Sequence, residues 1–173
     1  SECVKGIGDA CRFLKLPVTG GNVSFYNESP EGPVFPTPTI GMVGVIEDIS
    51  NHIKNYFTSP NEQIAVIGRF KPTLGGSEYL KEIHGLTKGE IPELSLEDEL
   101  NLQNLVLELN ESKLLLSAKD LSLGGLLVAI CKSAFPKKIG VTLDLSNISK
   151  TRLDETLFGE TSASVLISYL PEN

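Results

Sequence analysis

Val4, Ile7, Cys11 and Leu14 recur at steps of three and four, and Lys5, Asp9, Arg12 and Lys15 fall between them. That spacing predicts an amphipathic helix over residues 2–15, closed by Pro17. The segment TPTIGMVGVIED, Thr37–Asp48, is apolar on both alternating faces, which predicts a strand covered on both sides. Gly41 and Gly44 leave room there for close backbone approach, and Pro36 and Pro38 suit an edge or a strand start. Residues 50–61 are polar and broken by proline, so a linker is expected there. QIAVIGRF then reads as a short strand, and LGGSEYLKEIHG as a helix opening behind two glycines. Ser95 and Asp98 form a capping-box pattern ahead of a leucine-rich helix, LEDELNLQNLVLELN. KLLLSAKDLSLGGLLVAICKSAF reads as strand, loop and helix, and IGVTLDLSN and SASVLISYL as further strands. Helices and strands mix throughout, so the expected class is α/β or α+β. No internal repeat or low-complexity tract interrupts the pattern.

Composition narrows the function classes. A chain of 173 residues with 40% apolar content is expected to hold one or two domains with a real core. It has no run of eighteen apolar residues, so no membrane partner is expected. SECVKGIGDA lacks the basic start and apolar stretch of a secretory signal and reads as a helix from mid-protein, so a fragment or processed chain is expected. The net charge of -7 with scattered basic residues argues against a nucleic-acid surface. An anionic substrate would then need backbone N–H groups, a metal ion or a few placed cations. Cys3, Cys11 and Cys131 show no pairing pattern, which points to a reducing, intracellular setting. His52 and His84 are far apart, and no Cys/His cluster has zinc spacing.

Four loops carry candidate chemistry. In PVTGGNVSFYNES, Gly20 and Gly21 can expose N–H groups as an anion nest, Asn22 can offer an amide oxygen to a hard cation, Ser24 can donate to a phosphate or carbonyl oxygen, and Glu28 adds a carboxylate. Gly-Gly-Asn is also ordinary turn chemistry. LGGSEY, Leu74–Tyr79, can present N–H groups to a phosphate, or can be a tight turn with Ser77 as a helix cap. In SAKDLSLGGL, Asp120 can ligate a metal and Lys119 can meet a phosphate, or Ser122 or Asp120 can cap the next helix. In LFGETSAS, Glu160, Thr161 and Ser162 form a polar cluster that is either a pocket lip or a plain loop. Neither histidine sits in a triad motif, and the Walker and GxGxxG patterns are absent. No catalytic side chain is assigned.

Taken in order, GIGDACRFLKLPVTGGNVSFYNES, PTPTIGMVGVIED, LGGSEYL, SAKDLSLGGL and LFGET resemble phosphoribosylformylglycinamidine synthase, in its small, multi-subunit form. The resemblance is to the synthetase subunit, a relative of aminoimidazole ribonucleotide synthetase built from two copies of an A domain plus a B domain. It implies that residues 1–50 end the second A domain, 51–61 link, and 62–173 form most of the second B domain. The implied reaction turns formylglycinamide ribonucleotide into its amidine, in purine biosynthesis, with ATP, Mg²⁺ and ammonia. A glutaminase subunit would supply the ammonia, and a small third subunit would bridge the two. At the matching positions the resemblance implies that Gly21 contacts ATP, Asn22 ligates Mg²⁺ and Ser24 contacts substrate.

The chain departs from the family pattern at two places. Lys119 stands where the family has histidine, and Leu123 where it has an acid. GETSAS offers Thr161 and Ser164 where an arginine is common. These changes imply a weaker polar pocket in the B-type domain. Two readings compete: one wall of a reactive nucleotide and substrate site, or a non-catalytic pair of domains that packs, assembles or holds a structural nucleotide. A relative acting on another small substrate is the third.

Overall fold

The computed structural model describes residues 2–35, 37–148 and 152–172; Pro36, expected at a strand edge, lies outside them. The chain divides into two compact units, Ser1–Val45 and Ile46–Asn173.

The first unit begins with α1 (Glu2–Leu14), where the three- and four-residue spacing placed a helix. Leu16 N–H reaches back to the Cys11 carbonyl at 2.9 Å and closes its last turn. A two-residue antiparallel ladder follows, β1 (Glu28–Ser29) with β2 (Gly32–Pro33). Ser29 shapes its turn by accepting from Glu31 N–H and donating to the Gly32 carbonyl. The strand expected over Thr37–Asp48 does not form. Ile40, Met42, Val43 and Val45 are all exposed. The physical reason is the lack of a partner: the only ladder among the described residues of this unit is the two-residue pair, and an extended segment without cross-strand hydrogen bonds has nothing to hold it as a strand. No described residue of this unit is buried.

The second unit has a core. Its sheet runs β3 (Gln63–Gly68), β5 (Ser164–Tyr169), β4 (Ser117–Asp120), with β5 in the middle and both pairings antiparallel. The antiparallel ladder places this unit on the α+β side of the expected class. Ile167 faces Ala65 on one neighbour and Ala118 on the other. Because side chains alternate along a strand, Leu166 and Ser168 point to one face and Val165 and Ile167 to the other.

The Leu166 face packs on α4 (Gly125–Ala134), whose Leu126, Ala129, Ile130 and Ala134 join Phe57 and Leu121 in the core. Leu166 is 2% exposed, and burial of such a side chain stabilises by roughly 1.5–3 kcal/mol. On the other face α3 (Leu96–Glu111) sets Leu102 and Val106 along a groove shared with Val165. Ser95 caps α3 by accepting from Asp98 N–H at 3.2 Å. Only that half of the capping box forms, since the Asp98 carboxylate accepts from Arg69 at 3.0 Å instead of turning back. The two smaller helices are α2 (Glu78–His84) and α5 (Leu153–Phe158).

IGVTLDLSN, expected as a strand, pairs with nothing among the described residues. Ile139, Leu143 and Ile148 rest against the core while Thr142 and Asp144 face solvent. Its alternation reports burial on one side, not a ladder.

Candidate functional site

The loop holding Gly21, Asn22 and Ser24 runs through the first unit between α1 and β1, and all three residues are exposed. Ser24 Oγ donates to the Tyr26 carbonyl at 3.2 Å, and Asn27 Nδ2 donates to the Ser24 carbonyl at 2.9 Å. These bonds make residues 24–27 a self-held turn and leave the Asn22 amide open to solvent. Phe25 is 95% exposed beside it. Among the described residues no group of three or more His, Cys, Asp or Glu is placed to hold a metal. A Mg²⁺ ion keeps several waters and substrate phosphates in its shell, so one amide oxygen at Asn22 suits it as a partial ligand set and not as a closed cage.

The other three loops meet in the second unit. Glu160 lies between them, and its Oε1 accepts from Glu78 N–H at 2.9 Å and from Gly124 N–H at 3.0 Å. One carboxylate oxygen thereby satisfies a donor at the start of α2 and another at the start of α4. Ser77 is buried and caps α2 in the ordinary way, accepting from Leu80 N–H at 3.3 Å. For α4 the expected cap by Ser122 or Asp120 is corrected. The N-cap is Gly124, in the left-handed region at φ 85°, with no capping side chain of its own segment. Glu160 comes from across the fold to meet it.

The glycines of these loops serve close packing. A Cβ on Gly125 would lie 2.4 Å from the Gly159 carbonyl oxygen, and one on Gly75 would lie 1.9 Å from that of Glu90. Backbone sits where a side chain would be, and the N–H groups are taken within the protein: Gly75 donates to the Thr73 hydroxyl, Gly76 to the Lys88 carbonyl and Gly125 to the Ser122 carbonyl. Thr73 and Glu160 pair through both backbone groups, at 3.0 and 2.9 Å, and tie the LFGETSAS loop to the residue that leads into LGGSEY. Lys119 is turned to Asp120 and is not open to solvent as a phosphate-binding cation would be. The Lys119 side chain is only 15% exposed, and its Nζ stands 3.8 Å from Asp120.

Two cavities of the second unit have linings unsuited to a polyanion. One of about 430 Å³ is lined by the apolar residues Ile64, Val66, Leu126 and Leu143, with Glu62 and Asp144 at its polar edge. A groove of about 460 Å³ beside α3 carries Glu99 and Asp120. Neither lining includes a lysine or arginine. Burial would push the Glu62 carboxyl up, but hydrogen bonds from the Thr58 hydroxyl and the Ser59 and Thr58 amides outweigh it and hold its pKa below the ordinary value. Ser146, through its hydroxyl and its amide, likewise holds Asp144 low. Both are anions at neutral pH and repel phosphate. Arg69 and Lys71 are spent on Glu93 and Asp98 in an exposed network.

The sequence leaves Glu160 between a pocket lip and a plain loop and does not show that it joins the other two motifs. A signal was present: two glycine-opened helix starts supply donors, and an acid from elsewhere in the chain is one group able to meet both.

Similarity to known proteins covers the whole chain. Residues 59–173 match the AIR synthase related protein C-terminal domain, and residues 1–46 match the AIR synthase related protein N-terminal domain. The phosphoribosylformylglycinamidine synthase subunit PurL of Leptospira biflexa is 55% identical over 176 aligned positions, covering 100% of this chain and 24% of that protein. PurL of Alkaliphilus metalliredigens is 43% identical, with 99% of this chain and 23% of that protein covered. The chain thus spans about a quarter of the length of these relatives. Among solved structures, T. maritima PurL complexed with FGAR matches with a TM-score of 0.63 at 21% identity, over 72% of this chain and 22% of that one. T. maritima PurL complexed with ADP matches at 0.56 and 18% identity, over 72% and 19% of the two chains. The fold is shared with these structures, and with both domain models matched in order along its length, the chain belongs to the AIR synthase related protein family.

Proposed function

We propose that this chain is part of an ATP-dependent ligase that converts formylglycinamide ribonucleotide, ATP and ammonia to the amidine, ADP and phosphate. The observation that carries the reading is the 55% identity to a PurL subunit across the entire chain. In that reaction the amide oxygen takes the γ-phosphoryl group of ATP, and ammonia then displaces phosphate at the carbon. The acceptor must be held in line, and charge on the phosphates must be neutralised.

In this reading the work of the chain is done by the Gly20–Ser24 loop. The N–H of Gly21 contacts ATP, the Asn22 amide oxygen ligates Mg²⁺, and the Ser24 hydroxyl contacts the substrate. Mg²⁺ when bound neutralises the phosphates and orients them. The loop is exposed, and the Asn22 amide is open to solvent. Residues 1–50 would close an A-type domain, 51–61 link and 62–173 form a B-type domain. The partners would be a glutaminase subunit that delivers ammonia, a small bridging subunit and the other domains of the intact subunit, all in the cytoplasm. The chain alone would be inactive, because it supplies few groups to the site.

The second reading, a structural role, is favoured for the second unit by one observation. Three of the four candidate motifs are closed on Glu160, and two cavities of the same unit have acidic and apolar linings without a lysine or arginine. Asn22→Ala separates the two assignments. In the intact subunit it is expected to lower turnover at least tenfold and to weaken ATP–Mg²⁺ binding without unfolding the protein. Unchanged turnover would remove the loop from the site.

A further inference from the structure

We infer that Glu160 is a resident anion, a side chain that takes the place of a bound oxyanion and fixes three glycine loops into one rigid surface. The inference rests on the geometry of the second unit and is independent of the proposed reaction. Helices α2 and α4 begin at separate points of the chain, and each leaves N–H donors without intrahelical partners. Ser77 satisfies Leu80 N–H and leaves Glu78 N–H to be met from outside, and Gly124 has no side chain with which to cap α4. A single oxygen of Glu160 meets both. Both helix starts carry partial positive charge, so a carboxylate there is held by charge as well as by hydrogen bonds.

The surroundings prevent that carboxylate from being a loose surface acid. Its own backbone is paired with Thr73 in both directions. The preceding residue, Gly159, is buried, and its carbonyl lies where a Cβ of Gly125 would be. Thr73, Glu78, Gly124 and Glu160 therefore join three chain segments drawn from residues 73–160. Glu160 is a positioning residue among them. Its removal should release both helix starts together, although they are 46 residues apart in sequence (124 − 78).

Amide hydrogen exchange on the 173-residue chain tests this, read by NMR at Glu78 and Gly124. Glu160→Ala is expected to lose protection at both amides together, while the β3–β5 ladder keeps its own. Adding sodium formate, against sodium chloride at equal ionic strength, is expected to restore both in Glu160→Ala and to change neither wild type nor a Glu155→Ala control. Glu160→Asp, shorter by one methylene, covers the case in which the alanine variant fails to fold; it is expected to lose at least one of the two bonds, whereas Glu160→Gln keeps an oxygen in place and retains both with faster exchange. Unchanged protection in Glu160→Ala, loss at one loop alone, formate acting equally on the control, or an aspartate variant indistinguishable from wild type would overturn the inference.

Discussion

Glu62 gathers four hydrogen bonds on one oxygen, from the amide and hydroxyl of Thr58 and of Ser59. Those bonds exist for the charged form, which is why its pKa lies below the ordinary value despite partial burial. A lowered carboxylate pKa adds stability that is present above the unfolded pKa and disappears as pH falls through the folded one. The second unit is therefore expected to lose stability as pH drops below the model-compound value of 4.5, and Glu62→Gln to flatten part of that slope; urea midpoints between pH 7 and pH 3 read both. Gly125 makes a steric prediction. Its φ of 71° and its contact with the Gly159 carbonyl leave no room for a methyl group, so Gly125→Ala is expected to destabilise by about 2–4 kcal/mol. Thermal unfolding of the variant checks it, and a midpoint equal to wild type would refute it.

Two helices and two short strands were the most legible elements. α1 and α3 followed from periodicity and the Ser95 cap, and β3 and β5 from short apolar runs, because each of these signals acts over a few residues. The two strands that failed, 37–48 and 139–147, share a cause: alternation records which side chains avoid water, while a strand also needs a partner that sequence pattern does not name. Glu160 was hidden for a similar reason, since its partners lie 36 and 82 residues away. Two changes probe the elements separately. Ser95→Ala removes the cap of α3 and is expected to cost about 1 kcal/mol, whereas Leu102→Ala leaves a hole under the same helix and is expected to cost about 2–4 kcal/mol. Equal costs in chemical denaturation would contradict the assignment of α3 as held mainly by packing.

At the scale of the molecule the two units differ in kind. The second has a core around Leu126 and Leu166, while the first has no buried residue among those described and exposes Phe25, Phe35 and Val43. A segment without burial or a ladder should exchange its amides near unfolded-chain rates, so residues 37–45 are expected to exchange far faster than β3 in the same chain. The motifs divide along the same line. Those of the second unit are closed upon Glu160, and the open donors and acceptors are those of the Gly20–Ser24 loop. We therefore propose ligand binding for the first unit and support for the second.

Calorimetric titration of ATP–Mg²⁺ into the intact subunit and its Asn22→Ala variant, with turnover measured on the same samples, tests that division most directly. The account predicts a folded variant in which binding and turnover fall together. Binding and turnover both equal to wild type would show that the loop is only a turn, and would contradict it.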